Sequence, residues 1–235
     1  MKILVLGGTA EARQLVAALG DAATLSLAGL TRTPLSMPHR VGGFGGAGGL
    51  AAFLQREGFE GIIDATHPFA ARMSRNAFEA AAALGMPLLR LERPAWPKEP
   101  AWLEVDDLVA AAKALPAGAR VFLTVGSLSL GAFVARDDIW CLSRSIEAPA
   151  HPPANGEVLL QRPPFTMQNE LAIMSRHKIT HMVSKNAGGA ATRAKLEAAL
   201  QSGVQVIMVK RPRLLAVLTV ETVAEAVKWV ENLGE

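Results

Sequence analysis

Lys2-Ile3-Leu4-Val5-Leu6-Gly7-Gly8-Thr9-Ala10-Glu11-Ala12-Arg13 is the stretch from which the fold is read. An apolar run without polar interruption, ending in glycines and followed by helix-forming residues, suits a strand buried on both faces of a parallel sheet. The glycines let the backbone turn tightly and approach a phosphate. The helix that follows offers unpaired amides and the positive end of its dipole to an anion. The match to the dinucleotide fingerprint G-x-G-x-x-G is imperfect, because Thr9 and Ala12 hold the second and third glycine positions counted from Gly7. A tight turn in another α/β fold would read the same way. Gly7, Gly8, Thr9, Ala10 and Glu11 are the first cofactor-binding candidates, with the Thr9 hydroxyl a contact for a phosphate.

Outward from that turn the pattern alternates. Residues 11–19, 50–57 and 69–84 have helical spacing, the last with Phe69, Met73, Ala77 and Ala80 on one face. Residues 2–6, 24–30, 61–64 and 87–91 read as strands. Pro94, Pro97 and Pro100 then break the pattern and mark a linker. The second half repeats the logic. Strands are expected at 120–125, 139–143, 157–161, 180–184 and 204–209, and helices at 107–115, 167–177, 191–201 and 220–233. Such alternation predicts an α/β protein of two Rossmann-like domains, each with a mostly parallel sheet, and a cleft between them. Residues 1–94 form the dinucleotide-binding domain in this reading, and 102–235 a second domain contributing to the substrate cleft. The glycine-rich run at 42–49 reads as a flexible lid or as a loop.

Composition narrows the class. Of 235 residues, 50% are hydrophobic, 5% are aromatic and none is Tyr, so the core is aliphatic. The net charge of +3 suits an acidic small ligand, but no Lys/Arg-rich run argues for nucleic acid. No apolar run approaches the length of a membrane span. The opening apolar run is too short for a signal peptide, and Cys141 is the only cysteine. A reducing compartment, the cytoplasm, is expected.

Three further segments carry chemistry. After the second strand, where an NAD-preferring site usually places an acid, stand Thr31-Arg32-Thr33. A guanidinium flanked by hydroxyls suits a 2′-phosphate and favours NADPH, although a solvent-exposed Arg in a turn reads alike. At the end of the third strand comes Asp64-Ala65-Thr66-His67-Pro68-Phe69-Ala70, with Thr66 a helix cap and Pro68 in a first turn. His67 is a candidate proton donor, or a hydrogen-bonding residue of the fold. Arg72, Ser74, Arg75 and Asn76 follow on the same helix. Ser184-Lys185-Asn186-Ala187-Gly188-Gly189 and Lys210-Arg211-Pro212-Arg213 end later strands and suit carboxylates or phosphates. The scattered histidines and lone cysteine give no metal site, and none is expected.

Taken together, Gly7-Gly8-Thr9 with Glu11, the run from Asp64 to Ala70 with Ser74 and Asn76, Arg162 and Phe165 before Glu170, Lys185-Asn186 with Gly188-Gly189 and Lys195, and Arg211-Pro212 resemble the precorrin-6A reductase family. The resemblance covers nearly the whole chain. Departures are Pro163-Pro164-Phe165 where the family has Gly-Pro-Phe, and Ala187 where it often has Ser. The family implies NADPH-dependent reduction of a ring double bond in precorrin-6A, giving precorrin-6B on the route to cobalamin. With that reading the cofactor-binding candidates are Gly7, Gly8, Thr9, Ala10, Glu11, Thr31, Arg32, Thr33, Thr66, His67 and Pro68. Arg72, Arg75, Lys185, Arg211 and Arg213 would meet the carboxylates of the tetrapyrrole, with Phe69, Ser74, Asn76, Asn186, Gly188 and Gly189 as further substrate contacts. Transient contact with neighbouring pathway enzymes is compatible with such a substrate. Two alternatives share these features: an NADP-dependent reductase of another acidic small molecule, and a two-domain ligand-binding protein without turnover.

Overall fold

A computed structural model gives the structure of the protein and describes residues 1–28 and 37–234. In chain order the first elements are β1 (Ile3–Leu6), α1 (Ala10–Leu19), β2 (Ala23–Leu27), β3 (His39–Val41), α2 (Ala47–Glu57), β4 (Gly61–Asp64), α3 (Ala71–Leu84) and β5 (Leu88–Leu91). Next come β6 (Trp102–Val105), α4 (Leu108–Ala114), β7 (Arg120–Leu123), α5 (Gly131–Val134), β8 (Trp140–Ser145) and β9 (Gly156–Leu160). The chain continues through α6 (Met167–Arg176), β10 (His181–Lys185), α7 (Ala194–Gln201) and β11 (Gln205–Val209), and ends with β12 (Leu218–Val220) and α8 (Val223–Leu233).

The strands form two six-stranded sheets, ordered β3-β2-β1-β4-β5-β12 and β9-β8-β7-β10-β11-β6. All pairings are parallel. The first sheet has the doubly wound order 3-2-1-4-5-6; the second has the same arrangement about β7, except that its outermost strand beside β11 is β6, which precedes β7 in the chain, and in both the connections reverse direction beside the central strand. The α/β, two-Rossmann reading holds. The division of the chain does not follow the expected 1–94 and 102–235. One compact unit is Met1–Pro94 with Pro212–Glu235, and the other is Ala95–Arg211. The end of the chain pairs Leu218, Thr219 and Val220 with Leu89, Arg90 and Leu91 of β5. Its helix then buries Ala226 and Val230 against Leu15 and Val16 of α1. Periodicity shows that α8 is amphipathic but not which sheet it covers, so the sequence reading left it with its neighbours in sequence.

In the first unit, side chains along β1 alternate between two cores. Ile3 and Val5 join Leu25, Ile63 and Leu89 under α1 and α8. Leu4 and Leu6 join Ile62 under α2 and α3, where Ala77, Ala80 and Ala81 admit close approach of the helix. This two-sided burial is why β1 is apolar throughout. In the second unit Phe122, Leu142, Met182, Val206 and Met208 form one such core with Met174 of α6 and Leu196 of α7. Trp96, only 5% exposed, belongs to that core. The proline-rich linker is therefore fastened to the second unit immediately beyond Pro94. Residues 42–46 form a loop, and 47–49 begin α2. A Cβ on Gly49 would stand 1.7 Å from the Phe44 carbonyl oxygen, so the turn folds back on itself and leads into α2. Arg40 braces it, lying over the Phe44 ring at 4.1 Å and donating to the Gly42 carbonyl at 2.9 Å.

Candidate active site

In the first sheet β1 stands between β2 and β4. The loops leaving β1 and β4 run to helices on opposite faces, which opens a crevice at the carboxyl ends of these strands. Gly7 donates to Ser26 O at 2.9 Å, and a Cβ there would meet Leu25 Cδ1 at 2.4 Å. Gly8 has φ +134 and open space around it, so the backbone is approachable at that point. Thr9 ties the two loops together. Its hydroxyl donates to Ala65 O at 2.8 Å and accepts from Ala12 N at 3.1 Å, capping α1. The amides of Ala10 and Glu11, in the first turn, have no acceptor within the helix. A small cavity lies there, lined by Thr9, Glu11, Thr66, Pro68 and Arg93 over Leu91. Amides, a helix dipole and an approachable glycine fit the diphosphate of a dinucleotide. Thr31, Arg32 and Thr33 lie outside the described residues.

The loop after β4 differs in detail from expectation. Thr66 does not cap α3, which begins at Ala71 behind Ala70 without a side-chain cap. Instead, Asp64 Oδ1 accepts from Thr66 N at 3.2 Å and from Thr66 Oγ1 at 2.7 Å. Pro68 falls in the turn before the helix, closed by Ala70 N donating to His67 O at 2.7 Å. Asp64 is 2% exposed, and its Oδ2 faces Arg90 Nε at 3.6 Å. Arg90 also donates to Leu215 O at 3.1 Å and so ties the returning chain end to this loop. His67 Nδ1 accepts from Phe69 N at 3.2 Å, which places the proton of the neutral ring on Nε2. Arg72 and Arg75 are exposed on α3, Asn76 is half-buried, and Ser74, at 4% exposure, is turned into the core.

The second sheet has its own reversal point, where β7 stands between β8 and β10. There Lys185 Nζ donates to Ser129 Oγ at 2.6 Å, and burial pushes the Lys185 amine down to about 8. Asn186 is committed to the fold: its Oδ1 accepts from Trp96 N at 2.8 Å and its Nδ2 donates to Trp96 O at 3.0 Å. Gly189 O accepts from Trp96 Nε1 at 3.0 Å, and Gly188 takes a left-handed φ of +69. Arg211 donates to Asn186 O at 2.9 Å and Ala187 O at 3.2 Å, bracing the same loop. Arg213 is exposed and belongs to the first unit.

Several residues here escaped the sequence reading as site members. Lys195 is 5% exposed, and its amine is pushed down to about 7, by burial first and then by Arg144 and Lys185, with Glu170 opposing. Arg144 pairs with the fully buried Glu170 and lies 3.8 Å over the Phe165 ring. Ser129 follows Gly126 in the loop after β7, the counterpart of the Gly7-Gly8-Thr9 turn. A glycine directly after the expected strand at 120–125 was the signal available in the sequence. Among the described residues, no group of three or more His, Cys, Asp or Glu could hold a metal ion, and no helix is long and apolar enough to cross a membrane.

A model of the precorrin-6x reductase CbiJ/CobK family matches residues 2–231. The chain belongs to the precorrin-6x reductase family. Members similar to it include a precorrin-6A reductase of Rhodococcus erythropolis, 46% identical over 99% of this chain and 98% of that one. Another, from Rhodobacter capsulatus, is 42% identical over 99% of this chain and 97% of its own length. A solved structure described as CobK precorrin-6A reductase superposes with a TM-score of 0.92 at 42% identity, covering 100% of this chain and 98% of the other. The precorrin-6x reductases are thus the family that the runs Asp64–Ala70 and Lys185–Gly189 pointed to, and both runs end strands at the reversal points of their sheets.

Proposed function

We propose that the protein reduces a ring double bond of precorrin-6A with NADPH, giving precorrin-6B in corrin ring assembly. One observation carries the reading furthest: in a member of a reductase family whose model matches residues 2–231, the glycine turn and helix N-terminus at the first sheet's reversal point fit a diphosphate. The bound nicotinamide supplies a hydride to one ring carbon. The amides of Gly8 to Glu11 hold the diphosphate, and Arg32 with Thr31 and Thr33 reads the 2′-phosphate. Thr66, His67 and Pro68 border the cofactor, and His67, in its imidazolium form, is the side-chain proton donor for the carbon beside the one reduced. Arg72, Arg75 and Arg213, all exposed, and the cations Lys185 and Arg211 meet the substrate's carboxylates. The cytoplasm is the proposed location. It is supported by the single Cys141, which is buried and whose thiol burial pushes up to about 11, out of the reactive range.

The test is anaerobic incubation of the full chain with precorrin-6A and NADPH, followed by nicotinamide absorbance and product mass. Loss of NADPH matched by a product heavier by a pair of hydrogens is expected. Intact precorrin-6A beside unoxidised NADPH would end the proposal. Arg32→Ala is expected to lower the preference for NADPH over NADH in calorimetric titrations; an unchanged preference would place the 2′-phosphate elsewhere.

A further inference from the structure

We propose that Arg93 is a positioning residue for the cofactor. By holding the Glu11 carboxylate aside and neutralising it, Arg93 keeps the N-terminus of α1 open to a diphosphate. The inference rests on the cofactor reading above.

Glu11 is the acidic residue in the first turn of α1. Its amide is one of those a phosphate would use, yet its side chain brings a negative charge to the same place. A carboxylate at a helix N-terminus gains from the dipole, so it competes with an anionic ligand for that field and repels it directly. Arg93 answers both effects. Its Nη1 donates to Glu11 Oε2 at 2.9 Å, and the two side chains retain only 18% and 25% exposure. The pair lines the same small cavity as Thr9 and Thr66. The geometry explains how an acidic residue can occupy the turn of a phosphate-binding helix: its charge is matched by a side chain that arrives from just beyond β5.

The experiment is calorimetric titration of the full chain with NADPH, comparing the native protein with Arg93→Gln, Glu11→Gln and the double variant. Thermal unfolding of each cofactor-free protein reports folding. Arg93→Gln is expected to weaken NADPH binding about fivefold, as suits loss of a charge pair at a partly exposed site. The double variant is expected to recover most of that loss. Glu11→Gln alone, which leaves Arg93 in place, is expected to bind at least as tightly as the native protein. A merely structural role for Arg93 would not produce recovery on removing the second charge. An Arg93→Gln protein of native affinity would overturn the inference. So would a loss undiminished in the double variant, which means that Arg93 touches the cofactor itself, or weaker binding by Glu11→Gln. A native protein that binds no NADPH would instead bring down the cofactor reading, and the inference with it.

Discussion

Lys195 holds a charge that its surroundings oppose. Its amine is buried beside Arg144 and Lys185, and it falls from 10.5 to about 7 despite the help of Glu170. Because the folded state binds this proton less readily than the unfolded chain, the burden on folding is full below about 7 and disappears as pH approaches the ordinary lysine value. Lys185 adds a similar effect above about 8. Stability is therefore expected to rise with pH from about 7 toward 10. Lys195→Met should flatten that slope and raise the unfolding midpoint at neutral pH, as measured by thermal unfolding across the range. A slope unchanged in the variant would contradict the assignment. Lys185 also bears on the proposed binding: a protonated amine attracts a carboxylate, so the KM for an acidic substrate should climb as pH rises past about 8. His67 illustrates a different lesson. Its Nδ1 accepts from the Phe69 amide, so the neutral imidazole is held in one tautomer by its own loop.

Among elements, the central strands were legible, and of the four edge strands only β9, within the expected 157–161, was read. β1, β4 and β7 have two faces to bury and show it in the apolar runs 3–6, 62–63 and 121–123. The missed strands β3, β6 and β12 lie at sheet edges, partly exposed, and carry no such pattern. The four-residue α5 is too short to show a period. The site followed the same division. Residues on loops after central strands, such as Thr9, His67 and Lys185, stood out because glycines and polar groups interrupt an apolar run there. Partners distant in sequence did not stand out: Glu11 meets Arg93, and Trp96 meets Asn186, only once the sheet is built. That last contact separates fold from function in one motif. Asn186→Ala removes both amide bonds to the Trp96 backbone and should destabilise the second unit by about 2–3 kcal/mol. Lys185→Ala should chiefly raise the KM for the substrate. Chemical denaturation set beside steady-state kinetics distinguishes them, and equal stability of both variants would refute the division.

At the scale of the whole molecule, the sixth strand of the first sheet comes from outside the run that builds its other five, whereas the second sheet is built from one continuous run. β6 precedes β7 in the second unit, and β12 returns to the first after the second is complete. A chain ending at Arg211 would keep every strand of the second sheet but lose β12 and α8, whose Ala226 and Val230 close one core of the first. The fragment 95–211 is expected to unfold in a single cooperative transition, and the fragment 1–94 to show none, when each is followed by circular dichroism during heating. Cooperative melting of 1–94 would show that the returning strand is dispensable. The connectivity also sets an order of events during synthesis. A ribosome delivers the first half early but withholds its closing strand until the second unit has been made, so the half begun first is closed after the half begun second. The nascent protein would then carry a partly open sheet through most of its translation, and silent changes that slow elongation between the two halves would prolong that exposure.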